Sequence, residues 1–525
     1  MKVLLAERLA PTGLNLLYQQ EGWQIVESNP KDFMAHLGDA DALIIRSAIR
    51  ITRELLVAAP KLQVVGRAGV GVDHIDIKAA TDAGVLVMQT PGGNAVSVAE
   101  HTLALLLSLA RSIPQASEST KSGKWERKKF VGVEIRGKTL GIIGLGSIGR
   151  EVAKRARAFE MRLVATDPFV HRQTAEDAGA ELVELDTLYA QSDYITLHMA
   201  LTPESHRMLL REAFSKMKPG VRIVNCARGE LIDQEALTEA IKLGTVAGAA
   251  LDVFAPEPPA ADTALFGMPQ VIATPHVGGS TEEAQDIVSR RIAQQVIDYL
   301  QSGTAAYALN MPALSLDQQR EVGPYIVLAE RLGALAAQLA VGNPKVVRVT
   351  YSGKMAGQSS YLIRNSGVAG VVRRSMTVRA NAVNAMQVAA DRGLSVAERH
   401  DQRSLHMDSV RLELETDSGT TAVEGAVVFD QPRLVQVDDV HCEAPLSGHV
   451  TLLKCDDVPG VIGSIGNVLG KSGVNIATFS LGRREAGHEA VALVETDHSL
   501  PDAVLRTLRD TPAVKLVCPV EFDSV

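Results

Sequence analysis

The chain has 525 residues, 46% hydrophobic and 22% charged, enough for roughly three or four domains with cores of their own. Its formal net charge of −8 mixes both signs along the whole sequence, so no basic stripe is available for a phosphate backbone, which argues against a nucleic-acid partner. The four cysteines, Cys226, Cys442, Cys455 and Cys518, lack metal-type or redox-type spacing and fit buried thiols in a reducing compartment.

The opening Met1–Ala6 run is interrupted by Glu7 and Arg8 and reads as a first strand rather than a secretory signal. The longest aliphatic stretch, Thr102–Ala110, falls well short of the ~20 residues that cross a bilayer, so no membrane partner and a cytoplasmic location are expected. Up to Val87, short β-rich runs (Val3–Ala6, Ala42–Ile45, Gln63–Val65, Val85–Met88) alternate with helical stretches and predict a small parallel α/β unit. The Pro91-Gly92-Gly93-Asn94 breaker precedes a predicted helix, Val96–Arg111. A second α/β series follows, with strands at Thr139–Ile143, Arg162–Thr166, Tyr194–Leu197, Val221–Asn225, Ala247–Leu251 and Val271–Ala273.

Ser280-Thr-Glu-Glu283 has capping-box spacing, and the helix it predicts, to about Gln301, returns the chain to the first unit. After Asn310-Met-Pro312 the texture changes to an Ala/Leu-rich helix over Tyr325–Ala340, a strand over Val346–Tyr351, and alternating runs at Ser409–Glu415 and Thr421–Phe429, an α+β pattern. From about Gly448 the order strand, helix, strand, strand, helix, strand is that of a ferredoxin-like unit.

Gly144-Leu-Gly146-Ser147-Ile148-Gly149 follows a predicted strand and opens a helix-compatible stretch, Arg150–Phe159. Glycines there permit a tight turn and let backbone N–H groups approach a pyrophosphate at a helix N-terminus. Asp167 closes the next strand about 20 residues on, where a carboxylate accepts from the adenosine ribose hydroxyls. Pro168 and Phe169 offer no cation for a 2′-phosphate, so the expected cofactor is NAD and not NADP.

Arg228, Glu257 and His276 each stand at or just after the end of a predicted strand, where open α/β sheets place ligands. Oxidation of a 2-hydroxy acid requires a base for the hydroxyl proton, a cation on the carboxylate and a hydride acceptor. Neutral His276 supplies the base, Glu257 orients it, and the planar fork of Arg228 holds the carboxylate. Taken singly, the three also read as a surface ion pair, a loop acid and a helix-flanking histidine; their order and context favour a site.

The chain resembles the D-isomer-specific 2-hydroxyacid dehydrogenases through Gly144–Gly149, Asn225-Cys-Ala-Arg-Gly229, Leu251-Asp-Val-Phe254, Glu257-Pro-Pro and Pro275-His-Val-Gly-Gly-Ser-Thr281, over about the first 310 residues. Within that family it is most similar to the long-form phosphoglycerate dehydrogenase branch, in Gly66-Arg-Ala-Gly-Val-Gly-Val-Asp73, Asn94 and Gly123-Lys-Trp-Glu-Arg-Lys-Lys129. The resemblance implies that Arg228, Glu257 and His276 are catalytic, with Cys226, Ala227, Asp252, Gly278 and Gly279 also on the cofactor's side. Val70 and Met199-Ala200 depart from the family pattern on the adenosine side.

The implied substrate, 3-phosphoglycerate, needs further cations. Arg46 and Arg67 end predicted strands of the first unit and, with Ser47, Gly69, Asn94, Arg228 and His276, form the expected substrate site, to which Lys128 and Lys129 could add charge. The segment containing Trp125 is implied to lie near a neighbouring subunit, in a homodimer or homotetramer. No metal is expected.

The C-terminal unit resembles an ACT domain through Asp457-Val-Pro-Gly460, Gly463, Gly466 and Gly473-Val-Asn475-Ile476. Pro459-Gly460 makes a sharp turn before a helix, and the Asn475 amide can bind both ends of an amino acid, so Asp457, Gly460, Asn475 and Ile476 are the expected effector residues and L-serine the implied effector. A purely structural pairing domain is the competing reading. The layout is then α/β: residues 1–97 with 282–310 as a discontinuous substrate-binding domain, 98–281 as a Rossmann NAD domain, both doubly wound parallel sheets, followed by an α+β intervening domain at 311–445 and a ferredoxin-like ACT domain at 446–525. Two other functions stay open at this point, a glyoxylate or hydroxypyruvate reductase and a cofactor-sensing binding protein; turnover discriminates them.

Overall fold

The computed structural model describes every residue except 313, 315, 355–359, 374–379, 402–407, 486–488, 521 and 523–525. Five strands, β1 (Lys2–Leu5), β2 (Gln24–Glu27), β3 (Ala42–Ile45), β4 (Val64–Arg67) and β5 (Leu86–Met88), form a parallel sheet in the order β2-β1-β3-β4-β5. Strand β2 escaped the sequence reading because it lies at the edge, begins and ends on exposed polar residues and buries none of its side chains fully. The helix Glu282–Ser302 packs back onto this sheet, where a Cβ at Gly66 would come within 2.9 Å of both Ile292 and Val296. Its N-cap is Thr281, which accepts from Ala284 N–H at 3.2 Å. The capping box expected on Ser280 does not form: the cap sits one residue on, at Thr281, where the third residue along is Ala284 with no group to reach back, and Ser280 N–H is used in a turn onto Val277 O.

The second sheet comprises β6 (Thr139–Ile143), β7 (Arg162–Thr166), the two-residue β8 (Glu181–Leu182), β9 (Tyr194–Leu197), β10 (Val221–Asn225), β11 (Val246–Leu251) and β12 (Val271–Ala273). Its order, β12-β11-β10-β9-β6-β7-β8, reverses at β6, so a crevice opens beyond the carboxyl ends of β6 and β9. The helix Ala95–Arg111 leads from the first unit into the second, burying Val98, Leu103 and Leu106 in one cluster with Leu140, Ile142 and Val152.

The remaining strands are β13 (Pro344–Ser352), β14 (Ser395–Asp401), β15 (Ser409–Thr416), β16 (Gly419–Val428), β17 (Gln431–Val437) and β18 (Val440–Pro445), in a six-stranded sheet, then β19 (His449–Asp456), β20 (Ile476–Arg483), β21 (Glu489–Thr496) and β22 (Val514–Val520), in an antiparallel sheet ordered β20-β21-β19-β22. The Ala/Leu-rich helix is longer than predicted, Leu316–Leu339, and Pro324 does not end it. It crosses the helix Tyr361–Arg373 at close range, since a Cβ at Gly333 would meet Gly367 O at 2.0 Å and one at Gly370 would meet Glu330 O at 2.1 Å.

The two helices of the last unit cover one face of its sheet. The other face, with Leu452, Leu493 and Val520, shares a single hydrophobic cluster with Leu335, Val347 and Ala444. Lys454–Asp438 at 2.6 Å and Arg484–Asp439 at 3.2 Å tie the same junction. The intervening segment also docks on the first unit: Asn381 Nδ2 donates to Gly84 O at 2.7 Å, Asn384 Nδ2 to Asp82 O at 3.4 Å, and Val383 is buried in the cluster that holds Val3 and Ile292. Among the described residues, no single helix is long and apolar enough to cross a membrane.

Candidate active site

Three glycines of the Gly144–Gly149 loop do different work. Gly144 has φ +93° and a Cβ there would lie 2.6 Å from His198 O, while a Cβ at Gly149 would lie 2.1 Å from Gly144 O, which keeps helix and strand in close contact. Gly146 has no protein atom within 4 Å of its would-be Cβ, so the space in front of the helix Ser147–Ala158 is open to a ligand, and any side chain there would fill it. Ile148 packs inward on the core. Asp167 Oδ2 accepts from Leu145 N–H at 2.8 Å and Oδ1 from Phe169 N–H at 2.9 Å, which ties the end of β7 to the loop and leaves lone pairs for ribose hydroxyls. The open cradle and the acid beside it fit a dinucleotide.

The loops after β10 and β11 meet because Gly229 has no side chain; a Cβ would lie 2.0 Å from the Phe254 carbonyl carbon. Asn225 shapes the first of them, donating to Arg228 O at 2.7 Å and accepting from Ala227 N–H at 3.0 Å. His276 stands at φ +54° with Nδ1 2.8 Å from Glu257 Oε2, and Glu257 Oε1 accepts from Phe254 N–H at 3.0 Å. The hydrogen bond to Glu257 raises the imidazole above its ordinary range, against burial and the nearby Arg228. Burial works to raise Glu257, but its bonds to His276 and Phe254 outweigh this and hold the carboxyl below its ordinary value.

Arg228 donates Nε to Asp73 Oδ2 at 2.7 Å and Nη1 to its neighbour Ala227 O at 2.6 Å, and Nη2 lies where a Gly71 Cβ would be, 2.2 Å away. The Asp73 pair crosses from the second unit to the first. Arg67 lies over Gly69 in the same way: a Cβ at Gly69, φ +149°, would fall 1.1 Å from Arg67 Nη1. Burial, and then Arg228 nearby, lowers the Arg67 guanidinium to about 10; Nη1 donates to Ala68 O at 2.7 Å, and its Nε is buried without a partner. The structure thus brings Arg67, Gly69 and Arg228 together.

Arg46 and Ser47 are held through their backbone N–H groups by Glu7, and the Arg46 side chain lines an open cleft of about 770 Å³ with Ala10, Pro11, Ser280 and Thr281. Asn94 sits at the start of the helix Ala95–Arg111, its amide nitrogen 2.9 Å from where a Gly279 Cβ would be. Cys226 and Ala227 are buried, and burial pushes the Cys226 thiol up to about 12, so it stays protonated at neutral pH. Asp252 is buried too, and its oxygens accept from Thr274, Val277 and Gly278. His101, Cys226 and Asp252 place one ligand atom each within 4.8 Å of one another.

Asp73, Asn225 and Glu7 were not named as site residues from the sequence. Asp73 and Asn225 were visible only as the ends of quoted motifs; Glu7 was read only as the end of an apolar run.

The expected effector set does not assemble in one copy. Asp457 accepts from Arg483 at 3.0 Å, and Gly460, at φ +96°, caps the helix Val461–Lys471. Asn475 instead donates to Asp497 at 2.9 Å, and Ile476 pairs with Thr496, whereas Asp456 pairs with Glu489 at the far end of β21. The intervening helix carries the chain from one end of the sheet to the other, which separates Asp457 and Gly460 from Asn475 and Ile476.

Residues 103–278 match the family model for the NAD binding domain of D-isomer specific 2-hydroxyacid dehydrogenases, residues 321–438 that for the D-3-phosphoglycerate dehydrogenase intervening domain, and residues 449–513 that for the ACT domain. The chain is 38% identical over 524 residues to a D-3-phosphoglycerate dehydrogenase of Methanocaldococcus jannaschii, covering 99% of this chain and 100% of that one. It is 38% identical over 522 residues to the enzyme of that name from Bacillus subtilis, covering 98% and 99%. A solved NAD-dependent formate dehydrogenase from Staphylococcus aureus, in complex with NAD, superposes with TM-score 0.53 at 30% identity, over 60% of this chain and 100% of its own. With near-complete coverage of such relatives and all three family models in order, the chain belongs to the D-3-phosphoglycerate dehydrogenases of the D-isomer-specific 2-hydroxyacid dehydrogenase family.

Proposed function

We propose that the protein oxidises 3-phospho-D-glycerate to 3-phosphohydroxypyruvate with NAD, the entry step of L-serine biosynthesis. The observation that carries the chemistry is the His276–Glu257 pair at 2.8 Å beside the Arg228 guanidinium. Glu257 holds Nδ1, so Nε2 is the nitrogen that takes the hydroxyl proton, and the carboxylate favours the imidazolium that forms. Arg228 holds the substrate carboxylate and polarises the developing carbonyl. NAD, held on the Gly144–Gly149 cradle with Asp167 at its ribose, supplies the hydride acceptor. Asp167 would repel a 2′-phosphate, which favours NAD over NADP.

Arg67 is the proposed phosphate partner, because a half-buried guanidinium with a free Nε beside Arg228 suits a doubly charged anion. The test is NAD reduction with 3-phosphoglycerate, D-glycerate and D-lactate. 3-Phosphoglycerate is expected to be strongly preferred, and Arg67→Ala to raise its KM about tenfold or more while leaving that for glycerate nearly unchanged. No reduction with 3-phosphoglycerate would remove the proposed activity; equal KM effects would assign Arg67 to the shared carboxylate or to packing on Gly69.

The same reading makes the ACT domain a sensor of L-serine and the protein a cytoplasmic homo-oligomer. Asp457 and Asn475 lie at opposite ends of their sheet, so a site using both needs two copies, and the segment around exposed Trp125 offers a further surface for pairing. Serine should inhibit the full chain, and Asn475→Ala should relieve inhibition while sparing basal turnover; coupling of about 1–3 kcal/mol corresponds to a 5–150-fold change in affinity. An absence of both serine binding by calorimetry and inhibition at millimolar serine would leave the domain a structural one or a receptor for another small molecule.

A further inference from the structure

Behind the Glu257–His276 pair lies a second carboxylate–imidazole pair that the proposed chemistry does not use. Asp252 directly follows β11 with its side chain 1% exposed, and His101 Nε2 sits 3.2 Å from Asp252 Oδ1. The same nitrogen is 3.2 Å from Thr274 Oγ1, which itself donates to Asp252 Oδ1 at 2.6 Å. Asp252 also accepts from Val277 N–H at 3.0 Å and Gly278 N–H at 2.8 Å, and its backbone oxygen takes His276 N–H at 2.9 Å. Most anchors of the short loop that holds His276 at φ +54° therefore run to Asp252 or its strand, and the others run to Glu257 and His101. A buried carboxylate with this task needs donors on all sides, and His101 supplies the one that comes from another element, the helix Ala95–Arg111 joining the two units.

We infer that His101 is a positioning residue of the reaction, which holds the Thr274–Gly278 loop through Asp252 and sets how strongly the Asp252 charge bears on His276. The inference rests on the proposed role of His276. The charged groups bearing on His276 are Glu257, Asp252 and Arg228, and the titratable groups around Asp252 are His101 and, within 4.8 Å, the thiol of Cys226. Removing the His101 donor leaves Asp252 less compensated, so its negative field on His276 grows and the imidazole holds its proton to higher pH.

The test compares His101→Leu and His101→Gln with the parent in the full-length protein. Two readouts are followed: the acid limb of kcat/KM for NAD reduction, and the His276 ring titration by NMR, assigned with His276→Ala. In His101→Leu both should move to higher pH by ~0.5 unit or more. In His101→Gln, which keeps an N–H donor, they should return most of the way. Thr274→Val provides a second perturbation of the same carboxylate if His101→Leu does not fold, with the same direction expected. A His276 titration unmoved in the Leu and Val variants, or a Gln variant displaced as far as Leu, would overturn the inference. A parent that shows no turnover contradicts the proposed function instead, and the NMR titration still decides the role of His101.

Discussion

Replacing His276 with alanine should cut NAD reduction about 10²–10⁴-fold while leaving NAD affinity nearly intact, since it removes proton transfer and does not touch the glycine cradle. The pH dependence has a definite sign. With His276 as the proposed base, oxidation needs it neutral, and its bond to Glu257 raises its pKa above the ordinary value, so the rate is expected to be full above that raised value and to be lost as pH falls through it. Glu257→Gln removes the charge that favours the imidazolium and should move this acid limb to lower pH while reducing kcat. Steady-state rates and pH profiles on purified variants check both points. Turnover of His276→Ala within about threefold of the parent would place the base elsewhere.

Arg228 should show the second large effect. Each hydrogen bond to a charged group is worth about 1.5–3 kcal/mol, so losing a two-pronged grip on the substrate carboxylate in Arg228→Ala should lower kcat/KM on the order of 10²–10⁴-fold. Arg228→Lys should recover little of this. An ammonium keeps the charge but cannot donate to Asp73 along one edge and present a planar pair of N–H groups along another, as the guanidinium seated on Gly71 can. The measurement is kcat/KM for 3-phosphoglycerate with NAD affinity followed separately; a lysine variant near parental activity would show that charge alone suffices.

Much of the fold was legible locally. Strands β6, β7, β9 and β10 match their predicted ranges to the residue, because a strand buried in a parallel sheet is a short apolar run bounded by turn residues; the edge strand β12, with only Ile272 buried, matches too. Strands β2 and β8 were not legible, the one for its polar, half-exposed edge and the other for its two-residue length. At the start of the helix Glu282–Ser302 the spacing pointed to Ser280 as the cap, but Thr281 takes that place, with Ser280 N–H held in a turn onto Val277 O.

By itself the sequence determined the fold class, the glycine loop between strand and helix, and which three polar side chains stand at or after strand ends, since each depends on residues close along the chain. Only the tertiary structure decided how those side chains are partnered. Arg228 meets Asp73 155 residues away, the Arg228 loop and the Glu257 loop touch because Gly229 has no side chain, His276 reaches Glu257 from a third loop, and Asp252 gathers donors from the helix of His101 and from the His276 loop. It also decided that Asp457 and Asn475 stand apart, although the sequence places them close together. One helix is enough to carry the chain across the sheet, and neighbours along a chain become neighbours in space only where the connection turns back on itself.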